Sequence, residues 1–225
     1  MQIKIVGSIA TLVAVVGAGL MVNPTRVHAE DSSEQALVKR GFEIAPVPLN
    51  MAGKNYELVG LGSYLVNGPG DCNGCHTSGG PPNFDYAAGA NPYFNQPKKV
   101  DPTVYLGGGQ DFGPVGSPDN PGPDIIARNL TPDKTGMAAG GHTLSEFLTI
   151  LKTGQDFDNL HPTCSATVTM NCIPAPVDGS LLQIMPWPSF QNMTDRDLHA
   201  IYEYLSAIPC IAGPPAPSNL HNDCN

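Results

Sequence analysis

The sequence has few basic residues. Its 225 residues include 11 Lys and Arg against 20 Asp and Glu, which gives a formal net charge of −9. A nucleic-acid-binding surface needs clustered cations to neutralise phosphates, so this composition excludes DNA and RNA as expected partners. A redox partner protein with a basic docking face is compatible with the charge, because complementary charges speed encounter. The simpler interpretation is that the negative charge only maintains solubility.

Long apolar runs are also scarce, since the chain has one, from 5 to 22, behind the single cation Lys4. Val27 and Ala29 follow it at the positions typical of a secretory cleavage site, so we expect residues 1–29 to be a signal peptide. A retained membrane anchor is the alternative, because a run of about 18 residues lies near the lower limit for spanning a bilayer. Cleavage predicts an exported protein, periplasmic or extracellular, with no membrane-inserted segment.

Neither an internal repeat nor a strand–helix–strand unit is recognisable, and Gly (25 residues) and Pro (23 residues) are abundant. Leucines at helical spacing predict a helix over 54–67, which Gly-Pro-Gly ends. Capping patterns predict a helix of about ten residues from Thr143 to Gly154 and another that begins at Thr194. The pattern is typical of one mainly α domain with long loops.

The long loops are expected to contain little regular secondary structure. We expect the stretch 79–141 to be mostly loop, with a short strand pair near 103–106 and 125–127. The predicted organisation is a signal peptide, an exposed leader without clear periodicity, one domain and a disulfide-tethered tail, at residues 1–29, 30–50, 51–209 and 210–225 respectively.

The stretch GDCNGCHT contains the pattern C-x-x-C-H at Cys72, Cys75 and His76. This pattern predicts covalent attachment of a c-type haem, with two thioether bonds and the histidine as the proximal iron ligand. A structural zinc site needs four ligands, and the sequence has no second C-x-x-C pair. A thioredoxin-like dithiol belongs beside a strand–helix–strand pattern, which is missing here. One such motif predicts one haem.

An electron-transfer haem needs a sixth iron ligand, usually Met or His. Met185 is the preferred candidate, because Pro186 and Pro188 stiffen its apolar loop and lower the entropy cost of presenting the sulfur. An ordinary core methionine is the competing interpretation. The other downstream candidates are Met137, His142, His161, Met170, Met193 and His199.

Further segments extend the pattern beyond the haem motif, namely GGGQDF, IARNLTPDKTG, TLSEFLTILKTG and MPWPSFQNMTDRDLHAIYEYLSAIP. With the C-x-x-C-H region they cover roughly residues 54–209. In this order they resemble a class I cytochrome c, close to the cytochrome c domains of periplasmic dehydrogenase complexes. The resemblance implies the class I fold, with three or more helices around one covalently attached haem and long Gly/Pro-rich loops.

The resemblance also implies roles for individual residues. Cys72 and Cys75 match the thioether positions, His76 the proximal ligand and Met185 the distal ligand. Gly60 and Tyr64 match the first-helix residues that pack against Ile201, Tyr204 and Leu205 of the last helix. Arg128 and Asn129 match a loop near the haem edge or its propionates, where a cation would partner a buried carboxylate.

Two departures from the compact family pattern stand out. His76 and Met185 are 109 positions apart, because the segments 79–125 and 155–180 are long. Four further cysteines lie in the second segment and in the tail, and disulfides are the default for an exported protein. Local pairing, Cys164 with Cys172 and Cys210 with Cys224, is the simplest of three possible connectivities.

The expected function is therefore an exported monohaem cytochrome c that carries single electrons and is not itself an enzyme. A cytochrome subunit of a periplasmic dehydrogenase or oxidase complex is the alternative. A haem enzyme or gas sensor with an open iron site is a further alternative, and it requires that Met185 does not bind the iron.

Overall fold

The computed structural model describes residues 24–78 and 86–225, with side chains from Ser33 onwards within the first helix. The regular structure of the described residues consists of six α-helices, one antiparallel hairpin and two one-turn 3-10 helices at Cys72–Gly74 and Pro92–Phe94. In chain order the helices and strands are α1 (Pro24–Ile44), α2 (Tyr56–Asn67), β1 (Asp111–Ser117), β2 (Asn120–Ile126), α3 (Ala138–Gly141), α4 (Leu144–Thr153), α5 (Trp187–Phe190) and α6 (Asp195–Leu205). The prediction of a mainly helical domain with long loops is confirmed.

Three helices begin directly after a residue whose side chain caps the first turn. The Asn55 side chain accepts a hydrogen bond from the Leu58 amide at 3.0 Å, which begins α2. Thr143 and Glu146 form a reciprocal capping box at α4. The Thr194 hydroxyl accepts from the Asp197 amide at the start of α6. These pairs satisfy amides that have no partner inside the helix, so the three predicted helices are confirmed.

Helix α1 corrects the expectation of an exposed leader over 30–50. Val38 is buried against α2, and the Ser63 hydroxyl of α2 donates to the Gly41 carbonyl at 2.7 Å. The helix begins at Pro24 and so includes the expected cleavage site after Ala29. Residues 1–23 of the expected signal peptide lie outside the described residues. No helix in the described ranges is long and apolar enough to cross a bilayer.

Helix α2 lies between α1 and α6, and two of its glycines let both neighbours approach. A Cβ at Gly62 would collide with the Ala200 carbonyl of α6. One at Gly60 would lie 2.6 Å from the Val38 side chain and 2.8 Å from its carbonyl oxygen, both in α1. The expectation that Gly60 faces the last helix is therefore wrong. The two positions are two residues apart, which places them on nearly opposite sides of a helix with 3.6 residues per turn.

A buried polar group stabilises the crossing of α2 and α6. Tyr105 donates to the Asn67 side-chain oxygen at 2.5 Å, and its hydroxyl lies 2.9 Å from that of Tyr204. Asn67 donates to Tyr204 at 3.1 Å. Because its polar atoms pair with one another, the group can be buried at low cost.

The expected strand pair is only partly present. Ile125 and Ile126 lie in β2, but β2 pairs with β1. Tyr105 and Leu106 lie in a turn, where both are almost fully buried. The apolar residues around 105 therefore form core rather than a strand.

The structure has the two disulfides Cys164–Cys172 and Cys210–Cys224, with Cα separations of 4.9 and 5.8 Å. The local pairing is confirmed. The first disulfide closes a loop within the segment 155–180, and the second closes a loop within the tail 210–225. Both segments lack a core of their own, so a covalent link replaces packing.

Candidate functional site

A cavity of about 480 Å³ lies between α4, α6 and the long loops. Its walls include every site residue predicted from the sequence: Cys72, Cys75, His76, Arg128, Asn129 and Met185. Residues more than 100 positions apart in the chain therefore meet at one place. Most of the remaining wall is apolar, and it includes Phe147, Leu151, Ile201 and Leu205.

The C-x-x-C-H motif forms a single tight turn directly after α2. The amides of Cys75 and His76 both donate to the Cys72 carbonyl, at 3.2 and 2.9 Å. The Asn73 side chain accepts from the Leu106 amide at 2.9 Å, which ties the turn to the buried core. The turn thus places Cys72, Cys75 and His76 together on the wall of one cavity.

His76 is held by a backbone carbonyl. Its Nδ1 atom lies 2.8 Å from the Arg128 carbonyl oxygen, where a protonated Nδ1 donates a hydrogen bond. Burial lowers the pKa of His76, so the ring is neutral at pH 7. This bond selects the tautomer whose Nε2 carries a lone pair, which is the form that binds a metal.

The two thiols of the motif are free, since neither belongs to a disulfide. Burial, followed by the charge of Asp71, raises the pKa of Cys72 to about 12. The same two causes raise the pKa of Cys75. A redox-active dithiol needs a lowered thiol pKa, so these values disfavour that interpretation. Within the described ranges no three His, Cys, Asp or Glu side chains converge on a metal position, which gives the zinc interpretation no support.

Met185 lies in a loop that is held by backbone hydrogen bonds on both sides of this residue. Its amide donates to the Gln183 carbonyl at 2.7 Å, and its carbonyl accepts from the Trp187 amide at 2.8 Å. The Trp187 ring packs directly on Gly154, where any Cβ would collide with it. The Trp187 indole also donates to the Leu182 carbonyl at 3.3 Å.

Four of the seven candidates for the sixth ligand border the cavity, namely Met185, Met193, His142 and His161. Met170 is 84% exposed and lies elsewhere. His142 is placed between two carboxylates, since its ring nitrogens lie 3.9 Å from Glu146 and 3.7 Å from Asp158. The cavity therefore reduces the candidates for the sixth ligand from seven to four, and it does not select one of these four.

Arg128 and Asn129 border the cavity with their side chains already paired. The Arg128 guanidinium donates to both oxygens of Asp156 at 2.8 Å and to Asp158. His142 and then Arg128 hold the pKa of Asp158 below its usual range. The Asn129 side chain donates to the Ile211 carbonyl at 2.9 Å and accepts from Thr131.

Sequence reasoning missed two contributions to this site. The Arg128 carbonyl acts as a backbone group, which no side-chain pattern can reveal. The segment 155–180 supplies Asp156 and Asp158 to the wall beside His161, although, apart from His161 as a candidate iron ligand, it was expected only as a departure from the family pattern. The signal was present in GQDFDNLH, where two acids and a histidine lie within six residues.

Two curated proteins match this chain, both named alcohol dehydrogenase (quinone), cytochrome c subunit, from Gluconacetobacter polyoxogenes and Komagataeibacter europaeus. Each is 31% identical over 183 residues, which is 81% of this chain and 31% of the relative. The chain thus spans about a third of the length of the curated relatives that it matches. No protein-family model and no solved structure matches it.

These relatives confirm the predicted resemblance to cytochrome c domains of dehydrogenase complexes. They are named for the cytochrome c subunit of such a complex. This agrees with the prediction of an electron carrier rather than a catalytic subunit.

Proposed function

We propose that this chain, a relative of the cytochrome c subunits of quinone alcohol dehydrogenases, holds one covalently attached haem c in its cavity and carries single electrons. The observation that carries the proposal is the meeting of Cys72, Cys75, His76 and Met185 on the walls of one largely apolar cavity. Its volume of about 480 Å³ lies within the range of cofactor pockets. The class I arrangement of helices around the haem belongs to the same proposal.

Each of these residues has a role that its surroundings support. Cys72 and Cys75 would form the two thioether bonds to the haem, His76 would bind its iron through Nε2, and the Met185 sulfur would be the sixth ligand. The bound haem supplies a one-electron couple between ferric and ferrous iron. A thioether ligand and an apolar wall both favour the ferrous state and raise the potential. The Arg128 carbonyl keeps the His76 ring in one orientation, which reduces the rearrangement between the two states.

The proposal extends to partners and location. The relatives' names support a role beside a dehydrogenase, so we expect a redox partner protein that delivers electrons to the cavity edge. The net charge of −9 favours a partner with a basic docking face. Attachment of haem c takes place outside the cytoplasm, and the apolar run before residue 29 agrees with export to the periplasm.

The test is an optical and redox study of the protein expressed with a haem-attachment system. The oxidised protein should show the far-red band of a methionine-ligated iron, and Met185→Ala should abolish it. Met170→Ala is the matched control, because Met170 is 84% exposed and lies away from the cavity. A high-spin spectrum in the unchanged protein would refute the electron-carrier proposal and favour a haem enzyme or gas sensor with an open iron site.

A further inference from the structure

The segment 155–180, between α4 and the Met185 loop, forms one wall of the cavity. Its residues on that wall are Gln155, Asp156, Phe157, Asp158, Leu160, His161 and Ile173. The segment thus helps to build the cavity instead of projecting from it.

The backbone around His161 is fixed on both sides. The Leu160 carbonyl accepts from the Asn171 side chain at 3.1 Å, and the Pro162 carbonyl accepts from the Ile173 amide at 2.9 Å. The Cys164–Cys172 disulfide closes the same loop. A histidine held in this way keeps one position while a ligand binds beside it.

His161 nevertheless has an unsatisfied polar atom. Of the buried side-chain nitrogens and oxygens in the described ranges, two lack a hydrogen-bond partner, His161 Nδ1 and Asn222 Oδ1. His161 borders the cavity and Asn222 does not. Enclosing an imidazole nitrogen without a partner is unfavourable, so this atom is suited to a polar group that enters the cavity.

The other cationic or histidine side chains of this wall are already engaged. Arg128 pairs with Asp156 and Asp158, and His142 lies beside Asp158. The Nδ1 atom of His221 lies 2.9 Å from the Pro214 carbonyl. An anionic group that enters the cavity at this wall would be repelled by the Asp156 and Asp158 carboxylates. It therefore needs a hydrogen-bond donor that is not already paired with either carboxylate.

We propose that His161 Nδ1–H donates a hydrogen bond to a haem propionate. The assignment rests on the proposed haem site. The periphery of a haem is hydrocarbon apart from its two propionates, so a polar wall atom that does not bind the iron has a propionate as its natural partner. The role is one of positioning and of tuning the potential, because the donor offsets negative charge close to the iron.

The experiment compares His161→Leu, which removes the donor, with His161→Asn, which keeps a donor near the position of Nδ1. His199→Gln is the control, because His199 lies on α6 outside the cavity and pairs with Glu203 at 3.6 Å. The readouts are the midpoint potential and the propionate bending modes in resonance Raman spectra. We expect His161→Leu to lower the potential and shift those modes, because the unscreened propionate favours ferric iron.

A several-fold change in the ferric–ferrous equilibrium is the expected size, where tenfold corresponds to about 59 mV. His161→Asn should recover most of the loss, and His199→Gln should change neither readout. In the unchanged ferrous protein, a nuclear Overhauser effect should connect the His161 ring with the propionate methylene protons. This measurement requires no substitution, so it does not depend on the folding of the Leu variant.

Two results would overturn the assignment. One, a normal methionine-ligated spectrum with no response to His161→Leu and no Overhauser contact, would leave the proposed function intact. The other, loss of the sixth ligand in His161→Leu with its retention in Met185→Ala, would make His161 the iron ligand and would also refute the role proposed for Met185. Failure of the wild-type chain to take up haem covalently would instead refute the proposed function, and the assignment with it.

Discussion

Helices α1, α2 and α6 pack through close backbone contact, whereas the cavity wall formed by 155–180 relies on a disulfide and on paired charges. In the first region, the close contact between helices leaves no room for a Cβ atom at Gly62. The second has little core of its own, and its Arg128–Asp156 pair bridges two loops. We infer that the helices set the stability of the fold, while the loop segment sets the surroundings of the cofactor. The following substitutions test that division.

The largest effect is expected from Gly62→Ala. The new Cβ meets the Ala200 carbonyl, which cannot move without separating α2 from α6, and we expect a loss of about 3 kcal/mol in the free energy of unfolding. Denaturant unfolding of the haem-loaded protein measures it. Gly60→Ala is the matched control, because the two changes share any gain in helix propensity. At Gly60 the new Cβ would lie 2.6 Å from a Val38 side-chain carbon and 2.8 Å from the Val38 carbonyl oxygen, a less severe overlap than at Gly62, so the loss should be smaller, about 2 kcal/mol. Equal losses would contradict this account of the helix crossing.

Removing a disulfide should cost slightly less. Loop entropy predicts a loss of roughly 2–3 kcal/mol for Cys164→Ser/Cys172→Ser and slightly more for Cys210→Ser/Cys224→Ser, whose loop is longer. The two double variants should also differ in the midpoint potential of the proposed haem. Both disulfide-closed loops line the cavity, but the first carries His161, so the first double variant should lower the midpoint potential more than the second. An equal change in both variants would contradict the particular role given to the segment 155–180.

Asp156→Asn tests the ion pair between the two loops. The Asp156 side chain is 7% exposed, and its loss leaves Arg128 with Asp158 as its remaining partner. We expect a loss of about 2 kcal/mol, less than for a fully buried pair because Arg128 is partly solvated. Asp158→Asn is the control, and its 42% exposure predicts less than about 1 kcal/mol. The measurement is chemical denaturation of the wild type, the two single variants and the double variant. It gives the loss in free energy of unfolding for each substitution and the coupling energy between them.

The smallest effect concerns acid stability. His142 and Arg128 depress the pKa of Asp158, so its stabilising contribution is present above the unfolded value of about 3.9 and is lost as the pH falls through the folded value. Partial exposure limits it to less than about 1 kcal/mol. Unfolding measured between pH 3 and 6 should show a shallower acid limb in Asp158→Asn than in the wild type. Identical slopes would show that Asp158 does not contribute.

The local features were predictable because they depend on residues close in sequence. The starts of α4 and α6 follow from Thr143 and Thr194, whose side chains cap amides three residues on, and α2 follows from its leucine spacing. The same holds for the C-x-x-C-H turn, and for two disulfides that close loops of 8 and 14 residues.

The errors came from contacts between distant segments. Helix α1 lacks a strong apolar stripe, and it is placed by the close approach of Gly41 to α2. Tyr105 is a core residue because Asn67 and Tyr204 pair with its hydroxyl, and no period within the loop could indicate that. Gly60 was assigned to the wrong neighbour because a helical glycine reveals a close approach but not which helix makes it.

The sequence by itself determined the local features: two thiols and a histidine in one C-x-x-C-H turn, an apolar Met-Pro loop, and cysteines placed for local pairing. Only the tertiary structure decided which distant groups share the cavity. It brought the Arg128 carbonyl to His76 and placed His161, with its unpartnered nitrogen, on the same wall. The reason is physical, since spacing along the chain specifies short-range hydrogen bonds, while the lining of a cavity depends on how helices and loops pack.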